Sequence, residues 1–150
     1  MKYLVADDDP LVCETVEAFL QKIEDTEFCL KVGDGLTALQ VLSAGGIDAV
    51  FLDLQMPELN GPEVLRALPR DIPIVLISAS AEFGAASYEF QVADYLVKPL
   101  TFPRFAQAVA RIRERTQARD AARGATPLCR PSTSKRYGLE RHQCKQCISI

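Results

Sequence analysis

Short apolar runs alternate with longer amphipathic segments along most of this chain. The apolar runs lie at 2–6, 27–32, 48–52, 72–78 and 93–97, for example "DAVFL" and "IPIVLIS". Runs of this length predict strands, and runs without polar alternation predict strands that are buried on both faces. We therefore expect five strands in a parallel sheet that is covered on both sides.

The segments between these runs have apolar residues at the three- and four-residue spacing of an amphipathic helix. Asp8 or Asp9 can cap the first helix, with Pro10 in its first turn, and Asp34 can cap the second. The glycines at 45–46 can end the second helix. The remaining helices are predicted at 61–68, at 81–90, where a glycine interrupts a weak pattern, and from residue 101 onward. The polar continuation of the last helix, "RERTQARDAAR", is expected to project past the body.

The resulting order, βαβαβαβαβα, is typical of an α/β fold with a doubly wound parallel sheet and helices on both faces. Right-handed crossovers leave few topologies for such a chain. Periodicity is lost after Gly124, where "GATPLCRPSTSKRYG" is rich in Pro, Gly, Ser and Thr. We expect one domain at 1–120, followed by a basic linker or disordered tail at 121–150.

Charge separates the body from the tail. The chain has 150 residues and a net charge of −3, which is typical of a single globular domain. Residues 1–110 hold 7 basic and 17 acidic residues, whereas residues 111–150 hold 10 basic and 3 acidic ones. A basic arm could bind nucleic acid, but no helix-turn-helix, zinc-finger or RNA-binding pattern accompanies its arginines.

The lengths of the apolar runs and the number of cysteines indicate in which cellular compartment the protein is located. No run reaches the roughly 18–20 residues that span a bilayer, and the apolar run in "MKYLVADDDP" is too short for a signal peptide. We therefore expect a cytoplasmic protein without a membrane partner, in which the five cysteines are reduced thiols. Cys144 and Cys147 form a CxxC near Cys129 and His142, which could hold Zn²⁺, although the spacing fits no standard site.

Residues with chemically active side chains stand at the ends of four predicted strands. They are Asp7, Asp8 and Asp9 after the first strand, Asp53 after the third, Ser78 at the end of the fourth and Lys98 after the fifth. Functional groups of a doubly wound sheet collect beyond the carboxyl ends of its strands. All of these residues would then share one edge, and the acids would face each other if the first strand lies beside the third.

Clustered carboxylates repel one another unless a cation or a proton intervenes. A hard divalent cation such as Mg²⁺ takes carboxylate, water and phosphate oxygens, so it suits this edge. Lys98 would add a fixed positive charge, and Ser78 a hydroxyl that can donate to an oxyanion. A carboxylate nucleophile, a metal and a lysine together favour phosphoryl transfer onto Asp53, because that chemistry depends mostly on positioning and charge stabilisation.

The motifs "VADDDP", "FLDLQMPELNG", "VLISAS" and "DYLVKPL" resemble those of response-regulator receiver domains of two-component signalling, in that family's order and spacing. The resemblance covers the predicted domain at 1–120 and is greatest to receivers of the LytR/AlgR type. It implies a flavodoxin-like sheet with the strand order 2-1-3-4-5. It also implies a phosphoacceptor signalling domain, and not an enzyme that turns over external substrates.

The resemblance implies a role for each site residue. Asp53 would be the phosphoacceptor, and Lys98 would be the family's lysine, joined to Pro99 by a cis peptide bond. Ser78 and Tyr95 would be the hydroxyl and aromatic switch residues, although Tyr95 could simply be a core residue. The ligands implied for Mg²⁺, for which Mn²⁺ can substitute, are Asp7, Asp8, Asp53 and the backbone carbonyl of Gln55.

Partners are implied in the same way. The phosphodonor would be a sensor histidine kinase or a phosphotransfer protein, and a homodimer could form through the fourth helix, the fifth strand and the fifth helix. LytR/AlgR receivers usually precede a DNA-binding domain, whereas only about 30 residues follow the last predicted helix here, far fewer than a typical domain. Either the chain is a single-domain regulator or it is truncated, and DNA binding is expected only in the second case.

Two other function classes remain open. A metal-dependent phosphohydrolase of the α/β type also uses an Asp nucleophile and Mg²⁺, but it normally needs a second acid two residues later, where this chain has Gln55. A docking module that works without phosphate is the other alternative. The complete set of phosphoacceptor-site residues argues against it, namely Asp7, Asp8, Asp53, Ser78 and Lys98.

Overall fold

Five parallel strands form the centre of the computed structural model, which describes residues 1–59, 61–68, 71–80 and 89–124. The strands are β1 Lys2–Ala6, β2 Phe28–Val32, β3 Ala49–Asp53, β4 Ile74–Ser78 and β5 Asp94–Val97. Their order in the sheet is β2-β1-β3-β4-β5, and every neighbouring pair is parallel. This arrangement confirms the predicted doubly wound, flavodoxin-like sheet.

Four helices are described in full: α1 Pro10–Gln21, α2 Gly35–Ala44, α3 Gly61–Ala67 and α4 Phe102–Gly124. The weak helix predicted at 81–90 lies outside the described residues except for its last two, which are helical. The Cys and His residues of the tail also lie outside them. None of the helices in the described ranges has both the length and the apolar character needed to span a bilayer.

The helix ends follow from local sequence. Asp9, rather than Asp8, is the N-cap of α1, since its side chain accepts a hydrogen bond from the backbone N–H of Leu11 at 2.9 Å. Asp34 caps α2 by accepting from the N–H of Thr37 at 2.7 Å. Capping satisfies backbone N–H groups that a helix leaves unpaired in its first turn. Gly45 then ends α2 with a φ of 80°, a conformation that favours glycine.

The sheet is buried between two layers of helices. Along β1, Tyr3 and Val5 pack on the side of α1 and α4, whereas Leu4 and Ala6 pack on the side of α2 and α3. This alternation is the two-residue period of a strand. On the first side, the rings of Phe51 and Phe105 stack with their centroids 5.0 Å apart. Since Phe51 lies two positions before Asp53, this packing fixes the end of β3 that carries the acid.

The end of α4 contacts the rest of the domain, so the prediction that it projects past the body is wrong for this part of the chain. The Arg113 guanidinium donates to the carbonyl of Glu24, and Arg115 donates to the carbonyl of Gln91. Arg123 reaches Asp71 at 2.9 Å. These contacts are polar, and hydrophobic periodicity carries no information about them.

Candidate functional site

Three carboxylates meet at the carboxyl edge of the sheet. Ala6 of β1 pairs with Leu52 of β3, so the residues that follow them, Asp7 and Asp53, lie side by side. Oxygen atoms of Asp7, Asp8 and Asp53 all lie within 4.8 Å of one another. Asp7 and Asp53 are only 2% and 3% exposed, whereas Asp8 is open to solvent. The acids therefore face each other, as the strand order requires.

Asp7 is buried with an incomplete set of partners. Its Oδ1 accepts a hydrogen bond from the N–H of Asp9 at 2.9 Å. Its Oδ2 lies 3.0 Å from the Lys98 ammonium, an ion-pair distance, but without the alignment of a hydrogen bond. Burial raises the pKa of Asp7, and the Asp9 amide and Lys98 offset this only in part. A cation bound beside Asp7, in addition to Lys98, would lower the pKa of Asp7 further toward its ordinary value.

Lys98 bridges two of the acids. Its Nζ lies 3.1 Å from Oδ2 of Asp53 and 3.0 Å from Oδ2 of Asp7. Burial lowers the pKa of Lys98, but its contacts with Asp7 and Asp53 outweigh burial, and the pKa is raised overall. The side chain therefore stays charged at neutral pH. The Lys98-Pro99 peptide bond is cis, as the resemblance implied.

Asp53 is the last residue of β3, and both of its carboxylate oxygens have partners. Oδ2 faces Lys98, and Oδ1 accepts a hydrogen bond from the N–H of Gln55 at 3.0 Å. The cluster of Asp7, Asp8 and Asp53 at the carboxyl ends of β1 and β3 is called the acid edge below. The side chain of Gln55 is exposed, so only its backbone could contact a group bound there. The loop after β3 is thus attached to the Asp53 carboxylate by a backbone N–H.

Gly35, the first residue of α2, supports this loop. A Cβ atom at residue 35 would lie 2.7 Å from the carbonyl oxygen of Leu59 and 2.8 Å from both Leu59 Cβ and Val64 Cγ2. Distances this short are not tolerated between real atoms, so only glycine fits without movement. The first turn of α2 therefore packs directly against the loop that follows Asp53.

Ser78 and Tyr95 are connected through Ser80. Ser78 is the fully buried last residue of β4, and its Oγ accepts a hydrogen bond from the N–H of Ser80 at 3.2 Å. The Tyr95 hydroxyl donates to the carbonyl of Ser80. The Tyr95 ring is partly buried and packs against the core on the side of α2 and α3. Tyr95 is therefore both a core residue and a polar contact to the segment after β4.

Sequence reasoning missed a buried ion-pair cluster on β5. Asp94 is 7% exposed, and its carboxylate accepts hydrogen bonds from Arg104 at 2.6 and 2.7 Å and from Arg111 at 2.7 Å. Burial alone would raise the pKa of Asp94, but these arginines and the Tyr95 N–H lower it overall. The signal that could have identified Asp94 is an acid inside a predicted apolar run, that at 93–97.

The acid edge fits a hard divalent cation. Carboxylate oxygens are the ligands that Mg²⁺ prefers, and three of them converge here. Oδ2 of Asp7 is buried without an aligned hydrogen bond, and the Lys98 ammonium beside it is shared with Asp53, so two buried carboxylates have one lysine between them. Exposure of Asp8 leaves one side of the cluster open to water and to an incoming phosphoryl group.

Comparison with known proteins identifies the family. Residues 3–110 match the profile of the response regulator receiver domain. BtsR of Escherichia coli, a transcriptional regulatory protein, is 34% identical over 127 residues, which cover 81% of this chain and 52% of BtsR. LytT of Oceanobacillus iheyensis, a sensory transduction protein, is 32% identical over 116 residues, which cover 74% of this chain and 47% of LytT. The chain thus spans about half the length of these curated relatives.

The fold matches solved receivers as well. The crystal structure of the response regulatory domain of mrkE from Klebsiella pneumoniae aligns with a TM-score of 0.68 and 25% identity. The alignment covers 81% of this chain and 99% of that domain. The likeness therefore extends over the whole of the mrkE domain.

Proposed function

The chain belongs to the response regulator receiver family, and on that premise we propose that it accepts a phosphoryl group on Asp53 from a sensor histidine kinase or a phosphotransfer protein. The observation that carries this proposal is the placement of Asp53. It is a buried carboxylate at the end of a central strand, within 4.8 Å of two other acids and 3.1 Å from a lysine ammonium.

The proposed reaction is an in-line transfer. One oxygen of Asp53 forms a bond to phosphorus while the bond between phosphorus and the donor's histidine nitrogen breaks, and the electron pair stays on that nitrogen. Lys98 would neutralise charge that develops on the phosphoryl oxygens, and the Ser78 hydroxyl would donate a hydrogen bond to one of them. Lys98 already lies beside Asp53, whereas Ser78 would move toward the phosphoryl group once it is bound.

Mg²⁺ would be held by the carboxylates of Asp7, Asp8 and Asp53 and by the backbone carbonyl of Gln55, and Mn²⁺ can substitute. The ion supplies charge neutralisation, which lets an anionic phosphoryl group approach an anionic carboxylate. Support for this assignment comes from the convergence of the three acids and from the hydrogen-bond-deficient oxygen of Asp7.

The output of the switch is a change in binding. We propose that phosphorylation draws Ser78 toward the phosphoryl group and that Tyr95 moves inward in response. This would alter the face of β5, α4 and the helix predicted at 81–90, where a partner or a second copy would bind. A domain at 1–120 with a basic tail at 121–150 is the proposed organisation, and the proposed location is the cytoplasm. DNA binding belongs to this proposal only if an output domain follows.

Intact-mass analysis after incubation with Mg²⁺ and acetyl phosphate tests the acceptor. We expect one base-labile phosphoryl group on the wild-type protein and none on Asp53→Asn. Asp48→Asn, which changes an acid outside the cluster, should be phosphorylated like the wild type. Full phosphorylation of Asp53→Asn would show that another residue is the acceptor.

A further inference from the structure

Arg104 connects the last helix to the backbone of Tyr95. Its guanidinium forms a fork on the Asp94 carboxylate, with Nη1 at 2.6 Å from Oδ2 and Nη2 at 2.7 Å from Oδ1. The same Nη2 also donates to the carbonyl of Tyr95 at 2.9 Å. The proposed phosphoryl transfer uses none of these contacts, so they need another explanation.

Tyr95 is held at three points by neighbouring residues. Its N–H donates to Oδ1 of Asp94 at 2.8 Å, its carbonyl accepts from Arg104, and its hydroxyl donates to the carbonyl of Ser80. The N–H of Ser80 in turn donates to Oγ of Ser78. A continuous path of hydrogen bonds therefore runs from Ser78, at the acid edge, to Arg104 on α4.

The Arg104 end of this path is rigid, and the Ser78 end is weaker. A bidentate arginine–carboxylate pair is planar and charge-assisted, and moving the Tyr95 backbone away from this pair would break two hydrogen bonds to charged groups, one to Arg104 and one to Asp94. The bond between Ser80 and Ser78 is a neutral one at 3.2 Å and breaks more readily. Displacement of Ser78 toward a phosphoryl group would therefore break this bond and release Ser80 together with the Tyr95 hydroxyl, while the Tyr95 backbone stays attached to α4.

We propose that Arg104 is a positioning residue, which fixes the backbone of Tyr95 to α4 and so transmits the displacement of Ser78 and Ser80 to the surface of that helix. The inference rests on the proposed function, since it requires a phosphoryl group on Asp53. It adds a residue on α4 and a main-chain bridge at Ser80 to the two switch residues implied by the sequence.

Arg111 provides a matched control. It lies on the same helix and donates to the same Oδ1 of Asp94 at 2.7 Å, whereas Arg104 is the arginine whose hydrogen bond reaches Tyr95 directly. Arg104→Lys and Arg111→Lys both keep the positive charge near Asp94 and both lose a guanidinium. Arg104 differs from Arg111 in its bond to the Tyr95 carbonyl and in a second bond to Asp94, so the comparison reports on the attachment of β5 to α4 through Arg104.

The test uses the full ¹⁵N-labelled chain with Mg²⁺ and beryllofluoride, a phosphoryl mimic, and follows amide chemical shifts. We expect shifts at Asp53, Tyr95 and the residues of α4 in the wild type and in Arg111→Lys. In Arg104→Lys, the shift at Asp53 should remain, while those along α4 should be largely lost, because the hydrogen bond from α4 to the Tyr95 carbonyl is removed. If Arg104 served only to stabilise the fold, Arg104→Lys would change the shift at Asp53 and the shifts along α4 together, or neither of them.

Wild-type shifts along α4 that persist in Arg104→Lys would overturn the role of Arg104, and so would wild-type shifts at Asp53 without any along α4. Neither result affects Asp53 as acceptor. Absence of a shift at Asp53 in the wild type would instead overturn the proposed function and this inference with it. If circular dichroism shows that Arg104→Lys is unfolded, Arg104→Gln takes its place and the same comparison applies.

Discussion

The ammonium group of Lys98 lies 3.1 Å from Oδ2 of Asp53, although 45 positions separate the two residues in the chain. The same group is 3.0 Å from Oδ2 of Asp7. Lys98 thus sets the charge at the acid edge before any metal or phosphoryl group arrives. The positive charge of Lys98 should favour phosphorylation of Asp53 and should oppose the binding of Mg²⁺.

Replacing Lys98 with Met should separate these two effects. Loss of the ammonium should slow phosphorylation of Asp53 by about 100-fold, the usual cost of removing one charge-stabilising group. The affinity for Mg²⁺ should rise, because the acids then lack their internal cation. Mass spectrometry over time and a Mg²⁺ titration measure the two quantities. Lys2→Met, which removes a lysine that pairs with Glu27 at the amino end of β1, should change neither quantity appreciably.

Asp7 and Asp8 should contribute unequally to Mg²⁺ binding. We expect Asp8→Ala to weaken binding more than Asp7→Ala, since the family's second acid usually contacts the ion directly and the first often acts through water. In this chain Asp7 is also already engaged by Lys98 and the Asp9 amide. Mg²⁺ titrations of both variants decide the order. Equal or reversed losses would contradict it and leave the site itself in place.

Gly35→Ala should disturb the loop that carries Gln55. The added methyl group would press on the backbone of Leu59, so we expect a loss of about 1–3 kcal/mol in the free energy of unfolding, as for other overpacked sites. Displacement of the loop should also weaken Mg²⁺ binding. Urea unfolding and a Mg²⁺ titration provide the measurements.

Gly33→Ala is the matched control for this change, because a Cβ at residue 33 would have nothing within 4 Å. Its free energy of unfolding should stay within about 0.5 kcal/mol of the wild type. Identical behaviour of the two alanine variants would show that the close approach of Gly35 to Leu59 has no consequence for the site.

Asp94→Asn should lower stability in a pH-dependent manner. The loss should be about 2 kcal/mol at pH 7, since hydrogen bonds to charged groups contribute roughly 1.5–3 kcal/mol and the arginines are partly exposed. Because the folded-state pKa of Asp94 is lowered, its contribution is present above the ordinary aspartate pKa and is lost as the pH falls through the folded value. The wild type and the variant should therefore converge at acidic pH.

Urea unfolding of both proteins between neutral pH and about pH 2.5, below the ordinary aspartate pKa, measures this convergence. Asp71→Asn serves as the control, because Asp71 forms an exposed pair with Arg123, and such pairs contribute less than about 1 kcal/mol. A difference between wild type and Asp94→Asn that stays constant across this range would contradict the assignment of Asp94 as a charged partner.

Much of the acid edge could be predicted because it depends on short-range information. Apolar runs gave the strands, and the positions of Asp7, Asp53, Ser78 and Lys98 at strand ends followed from them. In a parallel sheet all carboxyl ends lie at one edge, so the convergence of these residues required only the strand order. The strand order was implied by the resemblance of four sequence motifs to those of receiver domains.

Contacts between distant elements were decided by the tertiary structure alone. The bond from Arg104 to Tyr95 depends on the rotation of α4 about its axis and on its height along β5, which no local pattern encodes. The approach of Gly35 to Leu59 depends likewise on how closely α2 packs against the loop after β3. The contacts of Arg113, Arg115 and Arg123 are polar, and hydrophobic periodicity does not register them. The sequence by itself determined which residues end the strands, whereas the packing of helices on the sheet determined which side chains meet across them.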